Sequence, residues 1–250
     1  MQPARDEPVS ESAKPREYFA TTHWTMVLDA GRSDSIRARE ALAQLCQTYW
    51  YPLYAYIRRR GESAADAEDL TQGFFARLLE LNSLADVRRE KGKFRSFLLA
   101  SLNHYLSDEW DRQRAQKRGQ GRFISLEAAG AEERWSREPA DTLTPEKLFE
   151  QKWAMAVLEV IVQRLQREYE SAGKGRLFMA LRFSIAGEKA DEPYAKLAAD
   201  LGLNEPALRV TVHRLRQRYR RLLREEIART VATEAEIDGE IQHLYRALAA

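Results

Sequence analysis

Cysteine is nearly absent from this sequence, which has only Cys46 among its 250 residues. A single thiol rules out an internal disulfide and is typical of proteins from a reducing compartment. No apolar run reaches the roughly 18 residues that a membrane span needs. The first residues also lack the apolar core of a signal peptide. We therefore expect a cytoplasmic protein with no membrane span.

The sequence also lacks the residue patterns of a catalytic or metal site. Its four histidines lie far apart and match no metal-ligand spacing. It has no glycine-rich phosphate loop, nucleophile elbow or redox pair. Asp66, Glu68 and Asp69 do lie together, but at a predicted helix start where nothing would raise a carboxyl pKa for acid–base chemistry. These absences predict no enzyme, no metal and no cofactor.

Strand patterns are almost absent as well, whereas apolar residues recur every three to four positions along most of the chain. The predicted fold class is all-α, with two helical domains joined by a flexible linker. The linker is expected at 119–144, which carries Gly, Pro, Glu and Ser without sustained periodicity. The predicted divisions are a disordered tail at 1–17, a first domain at 18–118, the linker at 119–144, a second domain at 145–226 and a C-terminal helical extension at 227–250.

Residues 194–223 have the pattern of a helix-turn-helix. A first run of apolar residues at helical spacing ends at Gly202, which suits a turn with positive φ. Asn204 is a good N-cap for a second helix, and Pro206 falls in the first turn, where a missing N–H costs nothing. One narrow apolar stripe then follows this second helix. Its members are Leu208, Val212, Leu215, Tyr219 and Leu222.

The face opposite that stripe is basic, and Glu205 is the only acid among residues 205–224. An exposed helix usually mixes both signs, because like charges repel, so an uncompensated basic face indicates a polyanionic partner. Arginine fits phosphate and the guanine edge, and a helix of this size enters the major groove of DNA. A basic helix that faces an acidic protein, or only solvent, is the alternative. The basic residues are Arg209, His213, Arg214, Arg216, Arg220, Arg221 and Arg224.

Three long helices are predicted in the first half. The first runs from Ile36 to Arg60, and Pro52 must kink or divide it. Ser63 and Asp66 then have the spacing of a capping box that opens a second helix. Acids are expected in its first turns, since they complement the positive end of the helix dipole. A third helix, from about residue 94 to 118, has a wide apolar face and a basic end.

The second half begins at Thr144, an N-cap followed by proline, and continues as a long amphipathic helix. Near the C-terminus, Thr233 and Glu236 can cap a final helix. Its apolar stripe is expected to pack on its own domain, although a dimer helix is the alternative. The stripe consists of Ile237, Ile241, Leu244, Tyr245 and Leu248.

The order of these motifs resembles the extracytoplasmic-function (ECF) sigma factors of bacterial RNA polymerase. In that family a helical domain called region 2 is joined by a linker to region 4, which ends in a helix-turn-helix. The resemblance covers about residues 20–226, and the chain looks like a subgroup with a C-terminal extension. Its motifs are DAEDLTQGFFARLLE at 66–80, FRSFLLASLNHYLSDEWDRQR at 94–114 and YAKLAADLGLNEPALRVTVHRLRQRYRRLL at 194–223.

The resemblance implies core RNA polymerase and promoter DNA as partners. It is also compatible with an anti-sigma factor as a further partner. The implied polymerase-binding residues are Asp66, Glu68, Asp69 and Gln72. The residues implied at the −10 element, where unpaired bases are trapped, are Asn103, His104, Ser107, Asp108, Trp110, Arg112 and Arg114. Those implied at the duplex −35 element are Arg209, Val210, His213, Arg214, Arg216 and Arg220.

Some residues depart from the family pattern. Gly73 replaces a common glutamate, which weakens the helix by about 1 kcal/mol relative to alanine. Ala100 and His104 replace a common arginine and a common asparagine in the −10 helix. Two other functions stay open: a stand-alone dimeric helix-turn-helix regulator of transcription, and a polymerase-binding scaffold that has lost promoter recognition.

Overall fold

The computed structural model describes residues 36–80, 93–115, 130–138, 143–185, 194–231 and 233–249. Over these residues the secondary structure is helical and contains no strand, which confirms the all-α prediction. The first three helices are α1 (Ile36–Arg59), α2 (Ala64–Glu80) and α3 (Phe94–Ala115). Then follow α4 (Ala131–Ser136), α5 (Pro145–Ser171), α6 (Gly175–Leu181), α7 (Tyr194–Asp200), α8 (Glu205–Ala228) and α9 (Ile237–Leu248). Single 3-10 turns at Arg182–Ser184 and Glu234–Glu236 complete the set.

Helix starts fall where the capping residues predict them. The backbone N–H of Asp66 donates to the Ser63 hydroxyl over 3.1 Å before α2. At the start of α5, the N–H of Lys147 donates to the Thr144 hydroxyl over 3.3 Å. Thr233 and Glu236 form the predicted reciprocal capping box, although it opens a 3-10 turn that leads into α9. Side-chain oxygens thus satisfy backbone donors that a helix start leaves without partners.

Pro52 does not divide α1, which is continuous from Ile36 to Arg59. The C-terminal part of this helix is the centre of the fold, because it packs against α2 on one side and along α5 on the other. Leu53 and Ile57 are fully buried there. Aromatic contacts join it to α3 and α5: the Tyr49 ring meets Phe94 of α3 edge-on at 5.1 Å, and the Tyr56 ring meets Phe149 of α5 at 6.5 Å.

The two predicted domains therefore share one hydrophobic core in this structure. The indole N–H of Trp153 in α5 donates to the Tyr49 hydroxyl in α1 over 3.0 Å, and both side chains are almost fully buried. The sequence predicted two separate helical units joined by a flexible linker. In the structure, the apolar faces of α1 and α5 bury each other. The division into two domains stays a prediction.

The predicted linker contains a short helix that its composition did not indicate. α4 packs on the end of α1, where Glu132 accepts from the Tyr54 hydroxyl over 2.6 Å and pairs with Arg58 at 2.9 Å. The Arg58 and Arg59 guanidinium groups lie over the Trp135 ring, 5.2 and 5.3 Å from its centroid. These contacts link residues far apart in sequence, which is why local periodicity gave no sign of them.

α9 packs on α5 and α8, as expected of a stripe that covers its own half of the chain. Ile237 and Leu244 are buried, but Tyr245 is 50% exposed, so its assignment to the buried stripe is wrong. α9 also reaches the start of α3, where Glu240 pairs with Arg95 at 2.6 Å. The chain itself thus covers Ile237 and Leu244, while Ile241 and Leu248 are half-buried.

Several predictions lie outside the described residues. They are the disordered tail at 1–17, the linker segments at 119–129 and 139–142, and the side chains of Cys46 and Arg114.

Candidate nucleic-acid interface

α7 and α8 form the predicted helix-turn-helix. Gly202 has a φ of +66°, a conformation that favours glycine, and the N–H of Leu203 donates to the Ala198 carbonyl over 2.8 Å. Ala198 is only 2% exposed, so the small side chain lets the two helices approach. The Asn204 side chain accepts from the N–H of Ala207 over 2.8 Å and caps α8. The turn therefore fixes the direction in which α8 leaves α7.

The exposed face of α8 carries most of the residues predicted to read duplex DNA. His213, Arg214 and Arg220 are exposed, and Val210 is 50% exposed, where it could contact a thymine methyl. Arg214 and Arg220 have no hydrogen-bond or ion-pair partner within the described part of the chain. Together with the exposed Arg221, they leave positive charge on this face available to phosphate.

Arg209 is exposed but already has partners. Its Nη2 lies 2.6 Å from a Glu205 carboxylate oxygen, and its guanidinium lies 5.2 Å from the centroid of the Tyr194 ring. These contacts orient the side chain at the N-terminal end of α8. An exposed ion pair of this kind contributes little, so Glu205 can release Arg209 to another anion at small cost.

Arg216 is more buried than the sequence predicts, and its Nε donates to the backbone carbonyl of Ser184 over 2.9 Å. Its first role is therefore to hold the 3-10 turn against α8. Arg218, which the sequence reading left out, faces inward and donates to both Glu168 carboxylate oxygens over 2.7 and 2.5 Å. This bond is the largest cause of a lowered pKa at Glu168. The pair fixes α8 to α5.

The acidic start of α2 is only partly available to a partner. Asp66 and Asp69 are exposed, whereas Glu68 is half-buried. Gln72 is 8% exposed, and its side-chain amide donates to Glu68 over 3.1 Å. Among the four predicted polymerase-binding residues, Asp66 and Asp69 therefore present their charge to solvent. Gln72 instead orients the Glu68 carboxylate through its hydrogen bond.

Three of the predicted −10 residues lie on one side of α3. Asn103, Ser107 and Trp110 are spaced four and three apart, so they lie on one helical face. His104 and Ser107 are exposed, while Asn103 and Trp110 are half-buried.

Asp108 and Arg112, the charged residues of the predicted −10 set whose side chains are described, lie on other sides of α3 and already have partners. Asp108 accepts from Arg77 of α2 over 2.9 Å, and Arg112 pairs with Glu109 at 3.0 Å. Asp108 thus helps to attach α3 to α2, and both charges are partly neutralised.

Arg60 joins this face from the end of α1, a residue that the sequence reading did not select. Its Nη1 donates to the Asn103 side-chain oxygen over 2.6 Å, and its guanidinium lies 4.7 Å from the centroid of the Trp110 ring. The Tyr56 hydroxyl donates to the same Asn103 oxygen over 2.9 Å. The run of three arginines at 58–60 was the available signal, but nothing local connects it to α3.

Over the described residues, no group of three or more His, Cys, Asp or Glu side chains could hold a metal ion. A groove of about 920 Å³ lies between α1, α4 and α5, and no histidine or cysteine lines it. Lys152 and Glu138 pair with each other at 2.5 Å on its wall. No helix in the described part of the chain is long and apolar enough to cross a membrane.

Residues 45–116 match the family model described as sigma-70 region 2. The matched stretch contains the C-terminal part of α1, all of α2 and α3, and the cluster around Arg60. A search of curated proteins and a search of solved structures each gave no match. The region 2 match supports a sigma-70 family factor, a non-enzymatic initiation factor for RNA polymerase. Region 2 of such factors binds core RNA polymerase and promoter DNA.

Proposed function

We propose that this chain is a sigma factor of the ECF type that directs RNA polymerase to its promoters. The observation that carries the proposal is a region 2 match at 45–116 followed by a helix-turn-helix whose second helix presents exposed, unpaired arginines. A region 2 domain alone would fit a scaffold that binds polymerase only. The exposed Arg214 and Arg220 add a surface suited to duplex DNA.

The proposal assigns a separate binding function to each of three surfaces. Asp66 and Asp69 at the start of α2 dock on core polymerase, because exposed carboxylates complement a basic partner and repel DNA. The α3 face from Asn103 to Trp110 holds unpaired bases at the −10 element. The exposed side of α8 reads the −35 element as duplex, and the region around α9 is a C-terminal extension of the ECF plan. A polymerase partner implies a cytoplasmic protein.

A stand-alone dimeric regulator fits less well. Such proteins use a second copy to span two half-sites, and the stripe on α9 was the candidate dimer helix. Ile237 and Leu244 are buried within the chain, so a second copy could reach only Tyr245 and the half-buried Ile241 and Leu248 of this stripe.

The proposal predicts that polymerase binding and promoter recognition can be separated by mutation. The chain is reconstituted with core polymerase, and run-off transcription is measured from a genomic promoter library. Arg214→Ala with Arg220→Ala is expected to reduce promoter-specific transcripts at least tenfold, since each lost phosphate or base contact costs about 1 kcal/mol or more. Co-elution with core polymerase should be unchanged. Asp66→Lys with Asp69→Lys should abolish co-elution.

Arg224→Ala is the matched control, because Arg224 is exposed on the same helix but pairs with Asp238 of α9. It should transcribe within twofold of the wild type. Normal transcription by the Arg214/Arg220 variant would show that α8 does not read the −35 element. Failure of the wild type to co-elute with core polymerase, together with tight binding of a palindromic duplex as a homodimer, would favour the stand-alone regulator.

A further inference from the structure

The cluster around Arg60 contains one charge that the protein itself does not neutralise. Arg60 is exposed, and among the described residues it forms no ion pair with a carboxylate. Two acids on α3 are already paired, Asp108 with Arg77 and Glu109 with Arg112. A guanidinium that lacks a carboxylate partner attracts an anion.

The neighbours of this charge are the groups that handle an unpaired base. Trp110 offers an aromatic face on which any base can stack, and Asn103 offers an amide that can hydrogen-bond a base edge. Arg60 covers the Trp110 face at 4.7 Å and also occupies the Asn103 oxygen at 2.6 Å. In the free protein, one side chain therefore covers both groups.

We propose that Arg60 is a DNA-binding residue of the −10 surface, which binds the phosphate of the nucleotide whose base stacks on Trp110. The planar guanidinium moves from the ring face to the phosphate, and this movement exposes the indole and removes one of the two donors that occupy the Asn103 oxygen. The inference rests on the proposed function, because it needs a melted strand at α3. It adds Arg60, the residue that follows α1, to a surface assigned so far to α3 alone.

Two features of the structure favour this exchange. Among the described residues the Arg60 guanidinium donates through Nη1 alone, to Asn103 and to the Tyr56 hydroxyl at 3.4 Å, so its other N–H groups can meet a phosphate first. Tyr56 is 2% exposed and still donates to Asn103 over 2.9 Å. Asn103 therefore stays oriented when Arg60 leaves.

The test uses a DNA duplex with a central unpaired bubble of randomised sequence and the same duplex fully paired. Binding is measured by fluorescence anisotropy across a range of NaCl concentrations, for the free full-length chain and for the complex with core polymerase. Arg60→Ala should weaken bubble binding by about five- to tenfold, and duplex binding by less than twofold. The slope of log K against log[salt] should fall by about 0.7 for the bubble, because one phosphate contact on a single strand is lost.

Three further variants separate charge from stacking. Arg60→Lys keeps the positive charge and should keep the salt slope, while losing about twofold in affinity because lysine cannot form the planar fork. Trp110→Ala should lose about tenfold with an unchanged slope, since stacking carries no counterion release. Arg137→Ala removes an arginine that is 74% exposed and pairs only with Glu133 among described acids, and it should bind as the wild type does.

The outcomes distinguish this inference from the proposed function. If the wild type in complex with polymerase prefers the bubble but Arg60→Ala matches it in affinity and slope, the Arg60 assignment is overturned while the sigma function stands. If the wild type shows no preference for the bubble, free or with polymerase, the −10 surface and the role of Arg60 both fail. If Arg60→Ala lost affinity equally for bubble and paired DNA, Arg60 would be a general electrostatic contact, and this result would also overturn the proposal.

Discussion

The most buried charges of the described structure connect α3 with α9. Arg95 at the start of α3 is 6% exposed and pairs with Glu240 of α9, which is 1% exposed, at 2.6 Å. Lys93 reaches the same Glu240 at 2.5 Å, and Arg95 also bonds Glu150 of α5. A buried pair of this kind adds little net stability over an apolar pair, but removal of one partner leaves a charge without compensation.

Glu240→Ala is therefore expected to destabilise the protein by about 3 kcal/mol, because Arg95 keeps only Glu150 in a buried position. Asp238→Ala is the control on the same helix. Asp238 is 72% exposed, and its pair with Arg224 should contribute less than about 1 kcal/mol. Urea unfolding of both variants at neutral pH measures the difference. Equal losses for the two variants would mean that the Arg95–Glu240 pair is not a structural anchor.

The loss of stability caused by Glu240→Ala is expected to depend on pH. Burial alone raises the pKa of Glu240, but hydrogen bonds from Arg95 and Lys93 outweigh it, and the pKa lies below its ordinary value. A carboxyl with a lowered pKa in the folded state stabilises above its unfolded pKa, and this stabilisation is lost as pH falls through the folded pKa. The stability gap between wild type and Glu240→Ala should therefore narrow below about pH 4.

Among the helices, α2 shows how a local rule can be overruled by packing. Gly73 lies inside α2, where alanine would ordinarily be preferred by about 1 kcal/mol. A Cβ at this position would overlap the Tyr105 hydroxyl oxygen and lie 3.4 Å from the ring carbon that bears it. Tyr105 belongs to α3, and its ring packs on Phe74 at 5.9 Å. The glycine lets α2 and α3 approach each other.

Gly73→Ala is expected to give no stabilisation in the wild type and to cost up to about 1 kcal/mol, because the Tyr105 ring must shift. In a Tyr105→Phe background the hydroxyl is gone, and the same substitution should stabilise by about 0.5–1 kcal/mol. Urea unfolding of the four proteins closes a double-mutant cycle. An equal effect of Gly73→Ala in both backgrounds would show that Tyr105 does not require the glycine.

The elements that sequence predicted well are those specified by neighbouring residues. Asn204, Thr144 and Ser63 cap helices where expected, since a cap depends on residues two or three positions away. Gly202 forms the turn because glycine readily adopts the positive φ that this position requires. Each of these features needs no knowledge of the rest of the fold.

The contacts that sequence could not predict join distant residues. Arg95 and Glu240 are 145 positions apart, and no pattern shows that two charged residues on separate helices will be buried together. The same reason explains why Arg60 was not assigned to the α3 face and why Arg216 was not expected to bond Ser184. Amphipathic periodicity shows which face of a helix is buried, but not against which helix.

At the scale of the whole molecule, the described residues of the two halves behave as one folded unit. α1 packs along α5, and the buried Trp153–Tyr49 hydrogen bond of 3.0 Å crosses between them. Their shared core extends from α2 to α9. A factor that places two surfaces on separate promoter elements must either present both from this unit or separate α1 from α5. The free energy of the α1–α5 contact therefore determines how readily the two halves separate.

The contact can be measured by cutting the chain between its halves. Fragments 1–129 and 130–250, expressed separately and mixed, are expected to associate and co-elute on size exclusion, because each otherwise exposes the apolar face that α1 and α5 bury. Tyr49→Phe should weaken their association about tenfold, since the buried indole N–H of Trp153 loses its acceptor and an unsatisfied donor costs about 1–3 kcal/mol. Met155→Ala is the control, because Met155 is 50% exposed on the same helix as Trp153. Fragments that elute separately at micromolar concentration would show that the halves are independent domains, as the sequence predicted.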